Sequence, residues 1–134
     1  LAWIETDVEN LHRQSGEVID GRAQAHAPEY QYFARGQWQL TERIATSLSF
    51  TGKDSYYYSF SHDQKSSKVN LVNASLTYFG DYVDITLWGR NLTDENYGVR
   101  GFEFGNDPRD GYSSKLYEQF GEPSVYGIKL DFVF

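Results

Sequence analysis

The chain contains no cysteine and no methionine, only three prolines, and 12 lysines and arginines against 19 acids in 134 residues. Without cysteine there is no disulfide framework and no thiolate for metal or redox chemistry, although the compartment stays open because many exported proteins also lack it. The net charge of −7, with the cations scattered along the chain, excludes a phosphate-binding surface, so nucleic acid is not an expected partner. It also disfavours peripheral attachment to anionic lipid. No stretch approaches the ~18 consecutive apolar residues that a membrane-crossing helix needs. A signal peptide is missing too, and Leu1-Ala2-Trp3-Ile4 already reads as the interior of a strand, so the sequence is expected to be a piece of a longer protein.

What the chain does have is aromatics at 17%, eleven of them tyrosines, and 12 glycines. Aromatic side chains suit a pleated, half-buried surface and glycine suits turns, which predicts an all-β chain. The periodicity agrees. After a short strand end from Leu1 to about Thr6, the stretch Asp7 to Glu29 is polar and without period. Tyr30 to Leu40 then alternates, with Tyr30, Tyr32, Ala34, Gly36, Trp38 and Leu40 on one side and Phe33 as the misfit among Gln31, Arg35, Gln37 and Gln39. A polar turn at Thr41-Glu42-Arg43 leads to Ile44, Thr46, Leu48 and Phe50 opposed to Ala45, Ser47, Ser49 and Thr51. A second loop carries the run Tyr56 to Phe60. From Val69 to Phe79 the chain alternates again, turns at Gly80-Asp81, and runs from Tyr82 to Arg90. Thr93 to Pro123 reads as a third long loop, and Val125 to Phe134 as a closing strand with Tyr126, Ile128, Leu130, Phe132 and Phe134 on one side. All three prolines fall outside these strands, as a hydrogen-bonded sheet requires.

The result is an antiparallel meander of about six amphipathic strands in one domain, residues 1–134, whose connections alternate long and short. A transmembrane β-barrel produces that rhythm, with short turns on one side of the bilayer and long loops on the other, and ~9–11 tilted residues suffice to cross. A Greek-key sandwich has no reason to alternate in this way. On the barrel reading Tyr32, Trp38, Leu48, Leu76, Leu87, Leu130 and Phe132 form one uncovered surface, and the Tyr56 to Phe60 cluster is expected in an interfacial aromatic girdle. Six strands cannot close a barrel without leaving unpaired edges in lipid, so they would belong to a larger one. The alternative is a secreted β-sandwich carbohydrate-binding module in which Trp3, Trp38, Trp88 and the tyrosines form a stacking platform.

Leu87-Trp88-Gly89-Arg90-Asn91-Leu92-Thr93-Asp94-Glu95-Asn96-Tyr97 resembles the "NL-x-D-x-x-Y" segment that ends the penultimate strand of TonB-dependent receptors, through Asn91, Leu92, Asp94 and Tyr97. Arg100 to Asn106, Gly121-Glu122-Pro123 and the strand ending in Phe134 resemble the last loop and C-terminal strand of that family, and Gln24 to Pro28 and Leu71 to Ala74 resemble its earlier strands. The resemblance implies the C-terminal fragment of a transmembrane β-barrel of about 22 strands. It implies a bacterial outer-membrane location with a periplasmic C-terminus, and a transport role in uptake of a scarce nutrient such as a ferric siderophore, cobalamin or a saccharide. The implied partners are outer-membrane lipid, the nutrient ligand, the TonB complex through an N-terminal segment, and the barrel-assembly machinery through the C-terminal strand.

No Ser-His-Asp spacing, phosphate loop or paired-carboxylate site stands out, so the chain is not expected to be an enzyme or to hold a cofactor. His12, His26 and His62 lack ligand spacing and are expected to be solvated rather than to bind metal, although His62-Asp63 is a possible ligand pair. Asp94, Glu95, Glu103, Asp107, Asp110, Glu118 and Glu122 crowd the last loops, either solvating them or meeting divalent ions or a cationic substrate. Trp88, Arg90 and Lys129 on the presumed lumen face, together with Arg100, are the candidates for contact with substrate or plug. Asn91 and Asp94 are suited to capping the turn through side-chain to backbone bonds.

Overall fold

The computed structural model describes residues 1–132, so the terminal Phe134 of the family-like motif lies outside it. Ten strands follow in order: β1 (Ala2–Trp3), β2 (Leu11–His12), β3 (Val18–Ile19), β4 (Tyr30–Thr41), β5 (Ile44–Lys53), β6 (Val69–Tyr78), β7 (Val83–Arg90), β8 (Gly98–Phe104), β9 (Lys115–Phe120) and β10 (Val125–Phe132). The only helical element among the described residues is a 3-10 turn at Pro108–Asp110. An antiparallel sheet takes six strands in the order β1-β4-β5-β6-β7-β10, while β2 pairs with β3 and β8 with β9. The six predicted strands are these six, joined as a meander, and the sheet stays open between β1 and β10 rather than closing into a barrel. The first is shorter than expected, only Ala2 and Trp3 pairing with Gln31 and Tyr30. Two of the predicted loops are also more ordered than their composition suggests, since they hold the β2–β3 and β8–β9 hairpins.

The described chain forms two compact units. The sheet unit comprises Tyr32–Gly52, Asn70–Glu95 and the chain from Glu122 on. In it β7 pairs with β6 and β10 so that Leu76, Leu87 and Ile128 stand in one row and Tyr78, Ile85 and Leu130 in the next. Directly opposed residues share a face. The other face therefore carries Ser75, Trp88 and Gly127 in one row and Thr77, Thr86 and Lys129 in the next. It extends to β5 through the Ser47–Ser75 hydroxyl pair at 2.7 Å.

Both faces are open. Leu76, Leu87 and Ile128 are 44%, 49% and 67% exposed, so each forgoes about half of the ~1.5–3 kcal/mol that full burial yields. The buried hydrophobic residues, Ile19, Tyr56, Tyr58 and Val69, all belong to the other unit. A water-soluble sheet hides one face under a second layer; among the described residues of this unit there is no such layer. The surface expected from alternation is thus uncovered at Trp38, Leu76, Leu87, Leu130 and Phe132, with Tyr32 and Leu48 half-buried. Tyr32 owes its partial burial to its ring lying where a side chain on Gly52 would stand, and its hydroxyl donates to Asn70 Oδ1 at 2.7 Å.

The loop unit comprises Leu1–Gln31, Lys53–Val69 and Asn96–Gly121. Its small core is tyrosine-rich, and this corrects the expectation of an outward aromatic girdle at Tyr56 to Phe60. Tyr56 and Tyr58 are 6% and 3% exposed and meet edge to face at 5.9 Å. Tyr57 is covered on its ring by Arg22 and Lys65. Glycine makes the burial possible: any side chain on Gly98 or Gly101 would occupy the space that Tyr58 fills.

Candidate functional site

On the polar face of the sheet unit the structure brings together three of the four predicted contact residues. Trp88 lies over Gly127 of the neighbouring strand, where a side chain would collide with the indole. Arg90 holds its guanidinium 5.2 Å from the Trp88 ring centre and donates to Glu122 Oε1 at 2.7 Å. Lys129 pairs with Asp131 at 2.8 Å along the same strand. Between them and Arg35 on β4 runs a lane of small polar groups in which partners satisfy one another. Ser47 meets Ser75, Asn73 Nδ2 donates to Ser49 at 3.4 Å, and Thr77 meets Thr86 at 2.9 Å. The arrangement is a wall of mutually paired polar side chains with cations at its margins. It also separates two of the tryptophans proposed for a stacking platform, because Trp38 stands on the apolar face and Trp88 on the polar one.

The family-like residues after β7 build a corner. Asn91 is 3% exposed and sits at φ 47°, in the left-handed region that asparagine tolerates better than most residues. Its Oδ1 accepts from the Glu95 N–H at 2.9 Å. Its Nδ2 donates to Glu95 O at 2.9 Å and Glu122 O at 3.0 Å. Its own N–H donates to Asn73 Oδ1 at 2.9 Å. Asp94, at φ 51°, accepts from the Ser124 N–H at 3.0 Å, so the predicted capping by Asn91 and Asp94 is what the structure shows. Leu92 covers Gly89, and its N–H bonds Val72 O at 2.8 Å. In the loop unit Tyr97 covers Gly121 and accepts its N–H at 2.9 Å. These positions hold the chain in place.

Arg100, the fourth predicted contact residue, belongs to the loop unit and is exposed on β8. In that unit a cleft of about 500 Å³ is lined by His26, Tyr58, Ser59, Ser61 and His62, with β8 from Val99 to Phe104 as one wall. The expectation that all three histidines are solvated fails at His62, which is 7% exposed. Its Nδ1 accepts from the Gln64 N–H at 3.3 Å and stands 3.8 Å from Glu103. No cluster of three potential metal ligands forms among the described residues. Burial pushes the Tyr58 phenol far above its ordinary range, helped by the hydrogen bond it donates to Glu118 at 2.7 Å. The last acidic residues are engaged within the chain, Asp107 by Arg109, Asp110 by Lys115 and Glu122 by Arg90.

One constellation in this unit was not anticipated from the sequence. Arg13 and Arg22, with side chains 10% and 9% exposed, converge on Asp63 at 2.6 and 2.5 Å. Arg13 Nε donates to Phe60 O and Arg22 Nη2 to Ser59 O. The only sequence signal was the pairing of scarce arginines with an acid 50 and 41 residues away. The hydrogen bond from Arg13 is the main cause that holds the Asp63 carboxyl below its ordinary range. A depressed carboxylate contributes stability above its unfolded pKa of about 4 and loses it as pH falls through the folded value. Acidification below about pH 4 is therefore expected to release the segment around Asp63, read as faster amide exchange at Ser59 to Gln64, while Asp63→Asn shows that fast exchange already at neutral pH. Unchanged protection in the variant would remove the clasp as its cause.

Compared with known proteins, the chain matches no family model and no solved structure.

Proposed function

We propose that this chain supplies strands to an outer-membrane β-barrel of the TonB-dependent receptor type. The observation that carries the reading is the two-faced sheet unit: a row such as Leu76, Leu87 and Ile128 is open on one side, and Ser75, Trp88 and Gly127 back it on the other. In lipid the first face is satisfied by acyl chains and the second by a wet lumen. The short connections at Glu42-Arg43 and Phe79–Tyr82, set against long excursions elsewhere, support the same reading. On it the short turns are periplasmic, Trp88, Arg90 and Lys129 face plug or substrate, and the open edges of β1 and β10 pair with strands of the same receptor outside these 134 residues. Nutrient uptake driven through TonB is the activity such a barrel serves, with plug and TonB contact supplied by other parts of the receptor. The carbohydrate-module alternative draws no support from the placement of Trp38 and Trp88.

Brominated lipids test the facing directly. The chain is reconstituted in vesicles whose acyl chains carry bromine, as variants that retain a single tryptophan. Trp38, on the apolar face and 52% exposed, is expected to be strongly quenched, and Trp88 only weakly. Equal quenching of both, or quenching of neither, overturns the barrel. In plain buffer the chain is expected to aggregate through its open face and edges, and a monodisperse monomer by light scattering would count against the same proposal.

A further inference from the structure

The β8–β9 hairpin has one face turned into its unit and one turned out. Gly101 opposes Glu118 and Glu103 opposes Leu116, and Tyr58 lies over Gly101 and bonds Glu118, so these residues mark the inner face. By alternation the outer face carries Arg100 opposite Gln119 and Phe102 opposite Tyr117, with Phe104 following on the same strand. Phe104 stacks on Tyr117 with ring centres 4.6 Å apart and planes at 21°. Phe102, Phe104 and Tyr117 are nevertheless 56%, 47% and 37% exposed. The strip is held still from both sides: the Tyr117 hydroxyl donates to Asn106 Oδ1 at 2.6 Å, and the Tyr56 hydroxyl donates to Val99 O at 2.8 Å.

Charge gives the strip its direction. Lys115 on this face is paired with Asp110. Arg100 takes part in no ion pair among the described residues, in a chain with net charge −7. A free guanidinium beside three exposed rings recognises a flat π-system that carries a negative group: the rings stack, and the planar fork takes a carboxylate in bidentate fashion. Three rings offer much less than the ~800 Å² per partner of an ordinary protein interface, so the matching occupant is small.

We propose that the outer face of the β8–β9 hairpin binds a planar aromatic anion, with the ring on Phe102, Tyr117 and Phe104 and the acid group on Arg100. This assignment does not rest on the barrel reading. The test is titration of the folded full chain, in buffer or in nanodiscs as its solubility requires, with 2-naphthoate, followed by saturation-transfer NMR. Cyclohexanecarboxylate, 2-naphthalenemethanol and decanoate serve as the non-aromatic, uncharged and lipid-like comparisons. Saturable binding of 2-naphthoate is expected, and binding of each comparison about tenfold weaker or worse, in keeping with the loss of a charge-assisted contact or a stack. Arg100→Gln and Phe102→Ala should each weaken 2-naphthoate about tenfold, and both sites are exposed enough for the hairpin to fold without them. Retention of the near-ultraviolet circular dichroism of the wild-type chain would verify that it does. Binding that Arg100→Gln leaves unchanged is partition into lipid and overturns the proposal, as does decanoate binding equally well.

Discussion

Replacing Leu87 by arginine in the lipid-reconstituted chain is expected to destabilise it by about 2–4 kcal/mol, the cost of a cation near the middle of a strand that faces lipid, as the barrel we propose requires. Leu87 stands between Leu76 and Ile128 in the central row of the apolar face, away from the ends of β7. The companion substitution Gln37→Arg, on the polar face of β4 beside Arg35, should stay within about 0.5 kcal/mol, as ordinary solvated substitutions do. Urea titration of both variants, followed by tryptophan fluorescence, measures the contrast. The contrast is informative because Leu87 is 49% exposed. If water rather than lipid met that face, arginine there would also fall within about 0.5 kcal/mol and the two variants would behave alike.

The second large effect is expected at Asn91. Alanine there removes three side-chain hydrogen bonds and leaves the Glu95 N–H and the carbonyls of Glu95 and Glu122 without these partners. At about 1–3 kcal/mol for each buried group left unsatisfied, and with some relief by water at the corner, a loss of roughly 3–5 kcal/mol is expected. Alanine also tolerates the positive φ of 47° less well than asparagine. Two further variants divide the loss. Asn91→Asp keeps the acceptor for Glu95 N–H but gives up both donors, and Asn91→Gly keeps the backbone conformation and gives up every side-chain bond. Urea midpoints should fall in the order wild type, Gly, Ala, with Asp lowest at neutral pH because its second, buried oxygen meets the carbonyls of Glu95 and Glu122. A glycine variant as stable as wild type would show that φ alone matters at this position and that the hydrogen-bonded corner contributes nothing.

The strands of the sheet unit were legible because their alternation is strict. Ile44, Thr46, Leu48 and Phe50 against Ala45, Ser47, Ser49 and Thr51 leave only one way to face. Even the misfit Phe33 behaves as its position on the polar face demands and stays 62% exposed. The β8–β9 hairpin was not legible, for two physical reasons. A register irregularity between Gly98 and Arg100 shifts the period within β8. Two of the glycines that signal a loop, Gly98 and Gly101, serve here to admit Tyr58 against the strand. Tyr56 and Tyr58 misled for a related reason: tyrosines in a polar segment look like surface residues until the glycines that accommodate them are found elsewhere in the chain. Of the candidate site, Trp88, Arg90 and Lys129 were placed on one face by the period of two. The Arg13–Asp63–Arg22 clasp depends on closure of a long loop, which no local pattern encodes.

The paired hydroxyls along the polar face bear on rates as well as on packing. Ser47 with Ser75, Thr77 with Thr86 and Asn73 with Ser49 spend much of their hydrogen-bonding capacity on each other. In the barrel we propose, a polar solute moving past them would meet few free donors and acceptors and little reason to stop, whereas isolated serines would each offer a brief resting place. Such a wall would leave a solute mobile and concentrate its dwell times at the charged margins, near Arg35 and Arg90.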